Sequence, residues 1–180
     1  GHWALAYTGT IAFIVNKQLV KDVPHSWADL LKGKYKVTIG DVSAAAQAVN
    51  GVLAASIANG GDEKNMEPGW KLMADLAKSG NIGRIAVTDV DFTNSFTSGE
   101  TSVGFFAEPS WAAVARNFKI TRLTKQAGMA TFLYQSGFAV MKNRPNRKAT
   151  CDFINFAISP EMSALYAKVA GEAPLNGKAA

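Results

Sequence analysis

The sequence is poor in the residues that build metal, redox and covalent-catalytic sites. Cys151 is its single cysteine, which excludes an internal disulfide and removes paired-cysteine zinc and redox motifs. His2 and His25 are the only histidines; neither sits at a metal-ligand or triad spacing, so both read as incidental. No G-x-S-x-G elbow and no glycine-rich phosphate loop occurs. Cys151 falls in an expected helix interior among apolar residues, a poor setting for a nucleophile. No apolar run reaches the roughly 18 to 20 residues that a bilayer span requires. No charged-then-apolar leader is present either. Those two absences suit a secreted protein after processing and a cytoplasmic one equally.

Charge of either sign is also sparse. Charged residues make up 18% of the 180 positions, against 48% hydrophobic, with 19 basic and 14 acidic groups giving +5. That balance is enough to bury a core and too apolar for a disordered chain. The basic residues are dispersed except at Lys142, Arg144, Arg147 and Lys148, which read as a solvated turn. Without a basic stripe interleaved with aromatics, no nucleic-acid partner is expected.

What is present is alternation of strand-like and helix-like segments. Trp3 to Val15 is aromatic and β-branched and reads as a long buried strand. Ser26 precedes a short helix from Trp27, stopped by Gly33, and Tyr35 to Ile39 alternates as a strand. From Ser43 an alanine-rich run predicts a helix ending at Gly60-Gly61. Glu67 to Lys78 is amphipathic, with Trp70, Leu72, Met73 and Leu76 on its apolar side. Ile85 to Val90 predicts a strand, Thr93 to Thr97 a short helix, and Ser102 to Phe106 a strand before a helix opened by Pro109. Ile120 to Leu123 and Phe132 to Met141 read as strands. Helices over Ala149 to Ile158 and from Ser159-Pro160 to Gly171 complete the pattern. The expected class is α/β, a mainly parallel sheet flanked by helices.

Five segments in order carry a family resemblance. They are Gly9-Thr-Ile-Ala through Val15-Asn16; Pro24-His-Ser-Trp-Ala-Asp-Leu-Leu followed by Lys34-Tyr-Lys; Ser98-Gly-Glu-Thr-Ser-Val-Gly-Phe; Ser136-Gly-Phe-Ala-Val-Met-Lys-Asn through Ala149 and Phe153 to Ser159-Pro-Glu; and Gly171-Glu-Ala-Pro-Leu-Asn. Together they resemble a type II periplasmic solute-binding protein of an ABC transporter, nearest the polyamine, opine and amino-acid-type receptors. The resemblance implies a type II-like lobe with an incomplete second lobe. It divides the chain into an inter-lobe crossing strand at 1–16, lobe two at 17–118, and a returning lobe-one segment at 119–180. It further implies no enzymatic activity, no cofactor, and a periplasmic or lipid-anchored extracytoplasmic location. The expected partners are a small amine, amino-acid or opine solute held between two lobes, a membrane permease, and the part of the receptor that the family carries beyond this segment.

Within that resemblance Asp41 corresponds to an amine-binding carboxylate, with helix capping as its competing role. Ser43 lies beside it. A second family carboxylate is replaced by Ala44. Either Ala107 or Glu108 takes the place of a stacking aromatic, and Glu108 there would pair with a cation. Tyr134 keeps an aromatic platform, whereas Ser136 stands where the family has an amine-binding acid. With two of three carboxylates missing, a solute with one amine and one carboxylate is preferred to a polyamine. Thr8 and Thr10 on the first strand, and Thr93 and Asn94, would add hydrogen bonds. Trp27, Leu30, Phe153 and Phe156 read as packing. Two other classes stay open: the effector domain of a transcription regulator, which needs a preceding DNA-binding segment, and an α/β enzyme, which the missing motifs disfavour.

Overall fold

A computed structural model describes residues 3–123 and 132–179. Its elements are β1 (Trp3–Asn16), a 3-10 turn (Ala28–Leu31), β2 (Val37–Gly40), α1 (Ala46–Ala58), α2 (Glu67–Ser79), β3 (Ile82–Ala86), α3 (Asp89–Thr97), β4 (Val103–Ala107) and α4 (Glu108–Ala115). After them come β5 (Ile120–Leu123), β6 (Phe132–Ala139), α5 (Arg147–Ala157), α6 (Pro160–Ala170) and β7 (Ala173–Pro174). The chain forms two compact units, one of Ile11–Phe132 and one of Gly1–Thr10 with Leu133–Ala180. β1 runs through both. The strand Ile120–Leu123, expected in the returning segment, pairs with β1 inside the first of these units, so the observed division falls later than position 119.

In the unit Ile11–Phe132 the strand order is β3-β2-β4-β1-β5. β2 is parallel to β3 and β4, while β1 is antiparallel to β4 and β5. The sheet is therefore mixed, not mainly parallel: β1 threads against the direction of the β-α-β repeats. Helices cover both faces, so adjacent residues of one strand serve opposite cores. Phe13 and Phe105 pack with Trp27, at ring-centroid distances of 4.4 and 5.6 Å. Their neighbours Ile14 and Phe106 turn to the other face, where they join Phe92, Phe96 and Val114. Trp27 and Leu30 are buried at 1% and 0%, as expected of core residues.

Local chemistry sets the element ends. The Ser26 hydroxyl accepts from the Asp29 amide at 3.2 Å, and the Asp29 carboxylate accepts from the amides of Ser26 and His25 at 3.0 and 2.9 Å. These bonds, that to His25 first, hold the Asp29 carboxyl below its ordinary range. α3 begins four residues earlier than expected because Thr88 and Asp91 form a reciprocal capping box. That pair ends β3 at Ala86 and turns Asp89 and Val90, read from sequence as strand, into helix. Ser159 caps α6, accepting from the Met162 amide at 3.4 Å, with Pro160 at its first position. α2 and α6 stop at Gly80 and Gly171, whose φ of 74° and 82° lies in the left-handed region that glycine enters without a Cβ clash.

In the unit of Gly1–Thr10 with Leu133–Ala180, the first part of β1 pairs with β6 and β7. Residues 141–149 are exposed throughout, which makes the basic cluster a solvated turn. Phe153 and Phe156, expected as packing, are 57% and 58% exposed. Phe153 meets Phe138 edge-on at 5.9 Å, and both phenylalanines of α5 border a pocket shared with Met162 and Tyr166 of α6.

Phe92 is fully buried and stacks on Phe106. Phe92→Ala is expected to lower the stability of the unit Ile11–Phe132 by about 3–5 kcal/mol, read as an earlier urea midpoint. A loss below about 1 kcal/mol would show that α3 is not anchored through this ring.

Candidate functional site

Parallel pairing of β2 with β3 and β4 brings three strand ends to one edge of the sheet, and each end leads into a turn or helix N-terminus. Asp41 and Ser43 follow β2, Val87 to Asp89 follow β3, and Ala107-Glu108 closes β4 and opens α4. Ligands of open α/β sheets bind at such an edge, because unpaired backbone N–H groups face outwards there.

In this chain the amides of the connecting residues Ser43, Val87, Thr88 and Ala107 take acceptors from the chain itself. Asp41 does not cap α1, which begins only at Ala46 behind an extended Ala45. Instead its Oδ1 accepts from the Ser43 amide at 2.8 Å and the Ser43 hydroxyl at 2.6 Å, an Asx turn. The hydroxyl, then the amide, holds the exposed Asp41 carboxyl below its ordinary range. At the second terminus, Asp91 accepts from the amides of Val87 and Thr88 at 3.2 and 3.1 Å, and its carboxyl is depressed for that reason, with the Thr88 amide first. At the third, Gln47 Oε1 accepts from the Ala107 amide at 3.3 Å.

Gln47 is the residue that sequence reasoning missed. Its Nε2 also donates to Asp89 Oδ1 at 3.1 Å, so one side chain in the first turn of α1 joins the termini of all three helices. The available signal was a lone amide in the apolar run Ala44-Ala-Ala-Gln-Ala-Val. Glu108 sits at the same edge, half-buried in the first turn of α4. Thr93 donates to the Asp89 carbonyl at 2.8 Å within α3, which commits its hydroxyl to the helix, while Asn94 is exposed.

The remaining candidates belong to the other unit. The Thr8 hydroxyl donates to the Tyr134 carbonyl at 2.7 Å, tying β1 to β6. Thr10 is half-buried further along β1. Tyr134 and Ser136 share one face of β6, where half-buried and exposed residues alternate. Gly9 makes room for the Tyr134 ring, since a Cβ there would fall 2.6 Å from the phenol oxygen. The Tyr134 hydroxyl donates to Glu172 Oε1, and the Tyr166 hydroxyl donates to Oε2 at 2.8 Å. Glu172 is 2% exposed. Tyr166 stacks on Tyr7 at 4.4 Å. Burial first, and the bond to Glu172 second, push the Tyr166 phenol above its ordinary range. A buried carboxylate thus takes its hydrogen bonds from two phenols, and β6, α6 and the start of β7 are joined through it.

Among the described residues no cluster of three or more His, Cys, Asp and Glu has a metal-binding arrangement. None of the described helices is long and apolar enough to cross a membrane.

Comparison with known proteins identifies the family. The family model of bacterial extracellular solute-binding proteins matches residues 2–180, and the chain belongs to that family. Its fold is similar to that of the PBP MotA from A. tumefaciens B6 in complex with glucopine, with a TM-score of 0.80 at 17% identity, covering 99% of this chain and 56% of that one. It is also similar to a putative spermidine/putrescine ABC transporter from Listeria monocytogenes, with a TM-score of 0.77 at 20% identity over 99% and 54%. A third similar structure is the sulfate-binding protein SubI from Mycobacterium tuberculosis H37Rv, with a TM-score of 0.76 at 20% identity over 96% and 58%. The chain therefore spans little more than half the length of these structures. No curated protein sequence matches it.

Tyr134→Phe leaves one oxygen of a buried carboxylate without its donor. It is expected to cost about 1–3 kcal/mol, read by urea or thermal unfolding. Glu172→Gln, which keeps the shape and loses the charge, is expected to fall in the same range. Wild-type stability in both variants would mean the phenols do not hold Glu172.

Proposed function

We propose that this member of the extracellular solute-binding family serves an ABC importer as its solute receptor, and that its solute carries an amine. The observation that carries the solute class is the bonding and charge of the strand-to-helix connections at the edge of the Ile11–Phe132 sheet where β2, β3 and β4 end. An anion held there would draw on the amides of those connections. Here carboxylates or the Gln47 amide already accept from the Ser43, Val87, Thr88 and Ala107 amides. What faces outward at the edge is negative: Asp41, Asp89 and Glu108. A cation complements it and a sulfate or phosphate does not.

In this reading Asp41 is the amine partner, Ser43 fixes the orientation of its carboxylate, and Glu108 adds a second negative charge. Tyr134, Ser136, Thr8 and Thr10 belong to the other unit, and the amine reading rests on none of them. Nothing in this chemistry makes or breaks a covalent bond. Binding works through the differential affinity of two conformations, which a membrane permease would read. The family places that work outside the cytoplasm, and we extend it to the periplasm or to a lipid-anchored surface protein.

Calorimetry with putrescine, 4-aminobutyrate and sulfate tests the reading. Binding of at least one amine and none of sulfate is expected, with Asp41→Asn weakening the amine about tenfold or more. Sulfate binding, or amine binding indifferent to Asp41, would refute it. The pH dependence has a definite sign. The Asp41 carboxyl is depressed below its ordinary value of 3.8, so amine affinity persists from about pH 7 to pH 5 and is lost only as pH falls through that depressed value. Ser43→Ala removes the hydroxyl that is the largest cause of the depression, so the loss is expected to begin at a higher pH than in the wild type.

A further inference from the structure

The unit Ile11–Phe132 contains a pocket of about 270 Å³ between α1, α2 and the β2–β3 side of the sheet. Trp27 and Phe105, exposed by 1% and 5%, stand at its buried end. Trp70 and Ile85, exposed by 45% and 55%, stand at its open end. Asp41 and Gln47 supply its polar rim. The Gln47 amide is committed on both sides, to the Ala107 amide and the Asp89 carboxylate. The Asp41 bonds to Ser43 both end on Oδ1, and among the described residues nothing donates to Oδ2. The pocket thus has apolar walls and a single outward acceptor, and no basic residue lines it.

We infer that this pocket takes the apolar body of a small aromatic or branched-aliphatic monoamine whose ammonium group pairs with Asp41 at the rim. The inference rests on the amine reading above and narrows it to a class. Charge complementarity selects the head group: Asp41 is the sole ionisable residue of the lining, and Ser43 orients its carboxylate through Oδ1. Apolar complementarity selects the body. Beyond the buried, unpartnered Trp27 Nε1, which can donate to one acceptor, the side chains of the wall offer no partners for the several hydroxyls of a sugar-derived opine or the second charge of a polyamine, and a site lacking them would leave them buried and unpaired. The volume lies just under the usual range of roughly 300–1,000 Å³ for small-molecule pockets, which favours a single ring system. The half-exposed Trp70 and Ile85 are apolar surface that such a body would remove from water, and Trp70 would stand beside a bound ring.

The test is calorimetry on the 180-residue chain, with tryptophan fluorescence from Trp27 and Trp70 alongside. The probes are phenethylamine, phenylacetate and putrescine: ring with cation, ring with anion, and cation without ring. Saturable phenethylamine binding at least about tenfold tighter than phenylacetate is expected. Trp70→Ala and Ile85→Ser, both at half-exposed positions, should each weaken phenethylamine severalfold and leave any putrescine binding as it was. Asp41→Asn should weaken both amines. Equal binding of phenethylamine and phenylacetate overturns the inference, as does phenethylamine binding insensitive to both wall variants. Putrescine binding that depends on Asp41, with no phenethylamine binding, overturns this inference alone and leaves the amine reading standing. Failure of every amine removes both.

Discussion

Burial of β1 on both faces is the constraint from which the rest of the unit Ile11–Phe132 follows. From Ile11 to Asn16 no residue is more than 3% exposed, so this stretch needs hydrogen-bonded neighbours on both sides and covering layers above and below. β4 and β5 supply the neighbours, antiparallel to it. Trp27 and Phe105 cover one face, and Phe92, Phe96 and Phe106 the other. Once β4 is fixed against β1, β2 and then β3 add in parallel, and their carboxyl ends must emerge together. The candidate edge is a consequence of that order. No separate interaction is required to gather Asp41, Asp89 and Glu108.

The fold was legible because its signals are local. A run such as Trp3 to Val15 has no amphipathic alternative, and the Ser159-Pro160 start and Gly171 stop of α6 need only adjacent residues. The start of α3 was equally local, in the spacing of Thr88 and Asp91, yet Val87 and Val90 pulled the reading towards a strand. Competing apolar patterns hid a cap whose hydrogen bonds decide the matter. The direction of β1 was not legible, since composition records that a strand is buried but not which way it runs. The late division of the units had the same origin: Ile120–Leu123 belongs with β1 by pairing, and pairing across a hundred residues leaves no mark in the local sequence.

The site was legible only where one residue could speak for itself. Asp41 stood out as a carboxylate after a strand, and Tyr134 as an aromatic on the last long strand. What each of them does is set by partners far away. The Tyr134 hydroxyl is held by Glu172, 38 positions on, and Gln47 reaches Asp89 and Ala107 across 42 and 60 positions. A glutamine in an alanine-rich helix costs little in propensity and announces nothing. Glu172, legible in the sequence only as part of the Gly171-Glu-Ala-Pro-Leu-Asn segment, is among the most buried polar groups of the described residues. Only the fold turns such residues into a network.

The same architecture is shared by a glucopine complex, a putative spermidine/putrescine transporter and a sulfate-binding protein, so architecture cannot select the solute. The sheet edge always presents helix N-termini, and these favour negative charge through their exposed N–H groups and aligned dipoles. A chain that leaves them open has an anion site at no further cost. A chain that fills them with its own carboxylates has used that attraction internally, and the filled edge then carries the opposite sign. Asp41 and Asp91 act in this second way on the connecting amides of Ser43, Val87 and Thr88, though at Asp41 the Ser43 hydroxyl is the larger cause of the lowered pKa and the amide the second. In the amine reading, replacing Asp41 by a small neutral residue would free the Ser43 amide for an anion as it removes the partner of a cation.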